Sequence, residues 1–170
     1  MLKLNKKYPL IVLLLLAILW FLVKQWGLII NVTLSMPRGL YIKQYGELSR
    51  GGIVSFCLTK PYQSFGLQRL YIAKGVACNG ADALIKEVIA IPGDSVVLQD
   101  NFIKVNNTVY LYKTHYRDSI GRKLFVCPRG VYKNITGYWV IGVNDSRSWD
   151  SRYWGEIQKK QIIAKLRPIF

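Results

Sequence analysis

Residues 83–94 read Ala83-Leu84-Ile85-Lys86-Glu87-Val88-Ile89-Ala90-Ile91-Pro92-Gly93-Asp94. Aliphatic and β-branched residues carry the stretch as far as Ile91, and Pro-Gly-Asp then ends it in a turn. The pattern predicts a β-strand over 83–91. Alternation places Leu84, Lys86, Val88 and Ala90 on one face and Ile85, Glu87, Ile89 and Ile91 on the other. A lysine flanked on its own face by leucine and valine has two readings. On an edge strand its stem lies along the apolar surface and the ammonium reaches water. On a covered face the ammonium loses solvation, its pKa falls toward neutrality, and the neutral amine can act as a general base.

Strand patterns recur on both sides of this segment. Ile53–Leu58 follows the turn Ser49-Arg50-Gly51-Gly52, and Val96–Leu98 with Phe102–Val105 reads as a hairpin about Gln99-Asp100-Asn101. Val109–Tyr116, Tyr138–Val143 and Ile162–Leu166 are further strands by the same signals. Tyr62–Gly80, broken by Gly66, Gly75 and Gly80, reads as loop with a short helix, and 117–130 as loop. At 170 residues the chain can bury the core of one domain. Eleven tyrosines and five tryptophans suit strands better than helices. The expected class is mostly β, with an antiparallel sheet.

The N-terminus differs. Lys3, Lys6 and Lys7 precede an apolar, uncharged run from Pro9 to Val23. That run is shorter than the roughly 20 residues a bilayer core requires. Lys24 can snorkel, and Gly27-Leu28-Ile29-Ile30 extends the apolar surface. A cleaved signal peptide needs small residues at alternating positions after the run, and Val23-Lys24-Gln25-Trp26 has none. The expectation is an uncleaved signal anchor over residues 1–30, with the positive end in the cytoplasm and residues 31–170 forming a domain outside. Trp20 and Trp26 are candidates for the membrane interface.

Directly after the anchor comes Asn31-Val32-Thr33-Leu34-Ser35-Met36-Pro37-Arg38-Gly39-Leu40-Tyr41. Pro37 fixes its own φ and drives Met36 out of the helical region, so Ser35 sits in a stiff, extended bend near the bilayer. It is either a turn residue or a nucleophile in search of a base. His115 is the single imidazole, among the polar residues Lys113, Thr114, Tyr116 and Arg117; Lys86 has the better surroundings. Near the C-terminus, 144–155 is dense in Ser, Asp and Arg with Trp149, Tyr153 and Trp154 between them. Asp150 and Arg152 can pair there, and Ser148 can donate to a nearby amine. Three cysteines without a Cys-x-x-Cys pair and one histidine assemble no metal site, and no phosphate-binding loop is present, so no cofactor is expected. The net charge of +15 is scattered along the chain. It reads as a basic surface beside anionic lipid, with no specific nucleic acid as partner.

Taken together, serine before Met-Pro after an anchor, lysine before Ile-Pro-Gly-Asp, and an Asp-Ser-Arg block resemble the type I signal peptidase family. Ser-Met-Pro-Arg-Gly-Leu-Tyr, Leu-Ile-Lys-Glu-Val-Ile-Ala-Ile-Pro-Gly-Asp and Trp-Asp-Ser-Arg-Tyr-Trp-Gly are similar to its conjugative-transfer (TraF) branch, which processes a pilin precursor. The resemblance spans nearly the whole chain. It implies a serine endopeptidase in a bacterial inner membrane with a periplasmic catalytic domain. Ser35 would be the nucleophile and Lys86 the base, with Thr33 and the Ser35 N–H as the oxyanion hole. Ser148 would hold the lysine amine, and Asp150 and Arg152 would support the site, the aspartate with a direct role in the TraF branch. The substrate would add as a strand, and the acyl-enzyme would pass to water or, in some relatives, to the pilin's own amine. Two departures favour a dedicated substrate over general signal peptides: Val-Asn-Asp-Ser-Arg precedes Ser148, and a large insertion common in general signal peptidases is missing. A non-catalytic basic membrane-tethered protein is the reading from another class. In an oxidising compartment, Cys78 and Cys127, both in loop-like stretches, are the expected disulfide, and Cys57 a buried strand thiol.

Overall fold

The computed structural model describes residues 8–25 and 27–169, and within the first stretch the side chains of 9–17. The lysines at 3, 6 and 7 and the indoles of Trp20 and Trp26 lie outside the described residues. In chain order, α1 (Tyr8–Gln25) leads into β1 (Leu28–Asn31), β2 (Gly39–Gln44) and β3 (Ile53–Phe56). Next come α2 (Lys60–Arg69) and a small hairpin of β4 (Lys74–Gly75) and β5 (Gly80–Ala81). The middle holds β6 (Leu84–Ala90), β7 (Val96–Leu98), β8 (Ile103–Val105) and β9 (Thr108–Tyr110). The chain ends with β10 (Gly130–Tyr132), β11 (Trp139–Ile141), α3 (Ser151–Trp154) and β12 (Ile162–Pro168).

Six strands form one antiparallel sheet in the order β1-β2-β12-β3-β6-β11, and four form another in the order β10-β7-β8-β9. The mostly β antiparallel class is therefore as expected. So is the strand before Pro-Gly-Asp, realised as β6. The expected strand over 109–116 is shorter, because pairing stops at Tyr110. β6 is an interior strand: Val54 pairs with Lys86 on one side, and Val140 with Val88 on the other. Both of its faces are covered. Val88 packs with Val54, Phe56, Val140, Tyr153 and Trp154, while Ile89 and Ala90 join Val96, Leu98, Ile103 and Trp139 of the second cluster. The turn after β6 is tied by Asp94, whose carboxylate accepts the Ile91 N–H at 2.9 Å and Asn106 Nδ2 at 2.9 Å and pairs with Arg50.

α1 has 18 residues, about 27 Å at 1.5 Å each. Leu10 to Leu16 are all exposed. Among the described residues no helix is long and apolar enough to cross a membrane.

The cysteines pair differently from expectation. The disulfide joins Cys57 and Cys78, with Cα atoms 5.5 Å apart, and Cys127 is a free, buried thiol. β3 ends at Phe56, so Cys57 is already leaving the sheet. α2 and the β4–β5 hairpin then carry Cys78 back over that strand end. Cys127 belongs to the second core cluster, its Sγ 3.2 Å from Tyr132 Oη. A cross-link between residues 21 apart removes enough unfolded-chain entropy to contribute about 3 kcal/mol. Replacing Cys57 and Cys78 together by serine is expected to lower unfolding stability by roughly that amount in a denaturant titration. Non-reducing peptide mapping should return the 57–78 linkage; a 78–127 linkage would disprove it.

Candidate active site

Lys86 is 3% exposed in the interior of the main sheet, so it is no edge-strand lysine reaching water. Burial pushes its amine down to about 8; the carboxylates of Asp150 and Asp145 act upward and Arg152 downward. Its Nζ lies 2.6 Å from Ser35 Oγ. The two residues come from separate elements, β6 and the loop between β1 and β2.

That loop is held by Asn31, a residue without a signal of its own in the sequence. Its buried amide donates to the carbonyls of Thr33 (3.3 Å), Met36 (3.1 Å) and Pro37 (2.9 Å). Its oxygen accepts the Thr33 N–H at 3.1 Å and the Thr33 hydroxyl at 2.7 Å. Met36 is buried under the loop against Tyr41 and Ile85, and Tyr41 Oη donates to the Pro37 carbonyl at 2.7 Å. Ser35 thus sits on a bend fixed at both ends. Thr33 Oγ1 is 3.5 Å from Ser35 Oγ.

The polar segment after β11 supplies the third wall. Asp150 caps α3 by accepting the Arg152 N–H, and both residues are fully buried. Every guanidinium N–H of Arg152 is used. Nε donates to Asp150 Oδ1 and Nη2 to Oδ2, each at 2.8 Å, and the rest go to the carbonyls of Lys113 (2.6 Å), Ser146 (3.0 Å) and Ser148 (2.8 Å). Asp150 Oδ2 also accepts the Gly142 N–H at 3.2 Å. The pair therefore ties the end of β11 to the segment carrying Ser148. It hydrogen-bonds neither Ser35 nor Lys86. Ser148 is buried beside Gly142 and its hydroxyl has no hydrogen-bond partner, so the bond to the Lys86 amine implied by the resemblance is not formed.

Ser35, Lys86, Thr33 and Ser148 all line one cavity of about 980 Å³. Val32, Leu34, Leu84 and Ile85 supply much of its apolar wall. His115 lines it too, which its polar sequence neighbours concealed; burial, then Arg147 and Lys113, lower its pKa. Among the described residues no group of three His, Cys, Asp or Glu stands close enough to hold a metal ion. The arrangement offers an amine able to take a proton, a hydroxyl in contact with it, and a cavity with apolar walls around them.

The family model described as signal peptidase, peptidase S26, matches residues 2–170. The chain belongs to the signal peptidase family. The expected TraF branch is met as well. This signal peptidase relative is 32% identical over 150 residues to a plasmid transfer protein TraF of Escherichia coli, covering 84% of this chain and 82% of that protein. A conjugal transfer protein TraF of Agrobacterium fabrum is 30% identical over 149 residues, with 85% and 82% covered. Among solved structures, a signal peptidase I from Enterococcus faecalis is 18% identical, covering 73% of this chain and 100% of that one, with a TM-score of 0.42.

Proposed function

We propose that the chain is a membrane-anchored serine endopeptidase in which Ser35 is the nucleophile and Lys86 its base, and that it processes the pilin precursor of a conjugation system. The observation that carries this is the 2.6 Å approach of Ser35 Oγ to the amine of a lysine buried in the sheet interior. Neutral Lys86 takes the Ser35 proton as Oγ attacks the scissile carbonyl. The tetrahedral oxyanion is held by the Ser35 N–H and by the Thr33 hydroxyl, whose hydrogen turns from Asn31 toward it. The Lys86 ammonium returns the proton to the leaving amine, and an acyl-enzyme remains. Water, or the precursor's own amine, then attacks the ester; Lys86 takes its proton and passes it to Ser35 Oγ. Asp150 and Arg152 act by holding the third wall and by their fields at Lys86. The exposed leucines of α1 favour an inner-membrane anchor; on that reading the peptidase domain lies on the periplasmic side. The names of the TraF relatives, plasmid and conjugal transfer proteins, favour a pilin over general preproteins.

The test is full-length protein, in membranes, with pilin precursor and with ordinary preproteins. The expected result is cleavage of the pilin alone, in activity that stays with the membranes after carbonate extraction. Ser35→Ala is expected to lower it by on the order of 10⁴-fold or more. Equal cutting of preproteins would make the chain a general signal peptidase. Full activity in Ser35→Ala would sink the nucleophile assignment. Activity released by carbonate would remove the anchor.

A further inference from the structure

We propose that Asn144, just after β11, is a positioning residue that aims the Ser35 backbone N–H into the catalytic cavity. The inference rests on the reading of Ser35 as nucleophile. Asn144 grips both peptides that flank the serine. Its side-chain Nδ2 donates to the Leu34 carbonyl at 3.0 Å, and its backbone N–H donates to the Ser35 carbonyl at 3.2 Å. A trans peptide points its C=O and N–H in opposite directions, and the chain has no cis bond among the described residues. The bond that draws the Leu34 carbonyl toward Asn144 therefore turns the Ser35 N–H away from Asn144. Thr33, Leu34 and Ser35 line the cavity and Asn144 is not among its lining residues; on the proposed geometry the N–H turned from Asn144 is the one that faces the cavity. Among the described residues the Ser35 N–H has no hydrogen-bond partner, which leaves it available to a developing oxyanion.

The grip depends on a close approach two residues earlier. A Cβ on Gly142 would overlap Ser148 Oγ and stand 2.8 Å from the Ser35 carbonyl oxygen. Glycine lets β11 pass against the nucleophile's backbone at this point. The Gly142 N–H is itself held by buried Asp150, so Asn144 is fixed relative to the rigid part of the domain. Asn144 is exposed and belongs to no core cluster. Its side chain can be changed without opening the interior.

Losing one oxyanion-hole donor costs about 10²–10³ in kcat, and loosening the aim of a donor that remains should cost about 10- to 100-fold. Asn144→Ala and Asn144→Asp both remove the Nδ2 donor and keep the backbone N–H. The experiment uses the full chain in detergent with three probes: a fluorogenic peptide with alanine before the cut, the same peptide made uncleavable by proline after it, and an alanine-boronate peptide. The boronate forms a tetrahedral adduct on Ser35 that places a charged oxygen where the oxyanion develops. The expected result in both variants is an unchanged KM, kcat lower by about 10- to 100-fold, and boronate affinity lower by the same factor. Affinity for the uncleavable peptide stays at the wild-type value in both variants, and the acid limb of the pH profile stays there in Asn144→Ala, which adds no charge near Lys86. A loss of boronate affinity at least about tenfold greater than the loss of peptide affinity supports the proposal. A smaller ratio, or wild-type kcat in both variants, overturns it. A wild-type chain that forms no adduct at Ser35 sinks the nucleophile reading itself, and Asn144 with it.

Discussion

Lys86→Met is expected to abolish turnover and to make the domain more stable. Methionine keeps the length and apolar stem of lysine but has no proton acceptor for Ser35, and loss of a base from such a unit costs on the order of 10⁴-fold in kcat/KM. The stability change follows from the same burial. The folded-state amine sits at about 8, lowered from 10.5. Below pH 8 lysine is charged in both states, and the full cost of burying the charge, about 3 kcal/mol at most, weighs on the folded chain. Between about 8 and the unfolded value the folded state has lost its proton while the unfolded state keeps it. Wild-type stability therefore rises with pH through that window, and the advantage of methionine fades. Denaturant titrations of both proteins across this range measure it; an advantage independent of pH would contradict a depressed lysine. Lys86→Arg separates charge from proton transfer, since guanidinium keeps its proton at accessible pH. It too is expected to be inactive. In the wild type kcat/KM should climb as pH rises toward about 8, because only the neutral amine is a base. A flat profile through acid pH would count against the dyad.

Asp150→Asn is expected to destabilise the domain by about 3–5 kcal/mol, because it strands the buried Arg152 charge with only carbonyl partners. Its two bonds from Arg152 and its bond from the Gly142 N–H are what join the end of β11 to the Ser148 segment. The variant also reports on the role of the aspartate. Asp150 raises the Lys86 pKa and Arg152 lowers it, so removing the carboxylate lets the lysine amine fall further. The acid limb of the activity profile should then move to lower pH, measured below the variant's melting temperature. A large loss of activity in folded protein, with the acid limb of what remains unmoved, would point instead to a direct chemical part for Asp150.

The strand at β6 was legible from alternation and from Pro-Gly-Asp, since both are local. The stiff bend at Ser35 was legible from Pro37 for the same reason. Whether Lys86 is wet or buried was not, because it depends on which strands flank β6, and β11 arrives from more than forty residues away. The disulfide is hidden from the sequence on similar grounds. Cys57 looked like a core strand position, and only the return of the chain after α2 shows that it meets Cys78. Asn31 and Asn144 carry no signal in sequence, because asparagine is an ordinary turn residue. Their importance lies in which carbonyls stand within reach.

By itself the sequence determined the mostly β character, the turn behind the lysine, the rigid bend at the serine and the kinship those segments betray. These are properties of contiguous residues, set by side-chain alternation and by proline and glycine geometry. Tertiary structure alone decided that the lysine loses its water, that its amine meets the serine, that Cys57 rather than Cys127 is cross-linked, and that the Ser148 hydroxyl stands unbonded. Each of these depends on distant parts of the chain arriving at one place, and solvation and hydrogen bonding are set by what arrives.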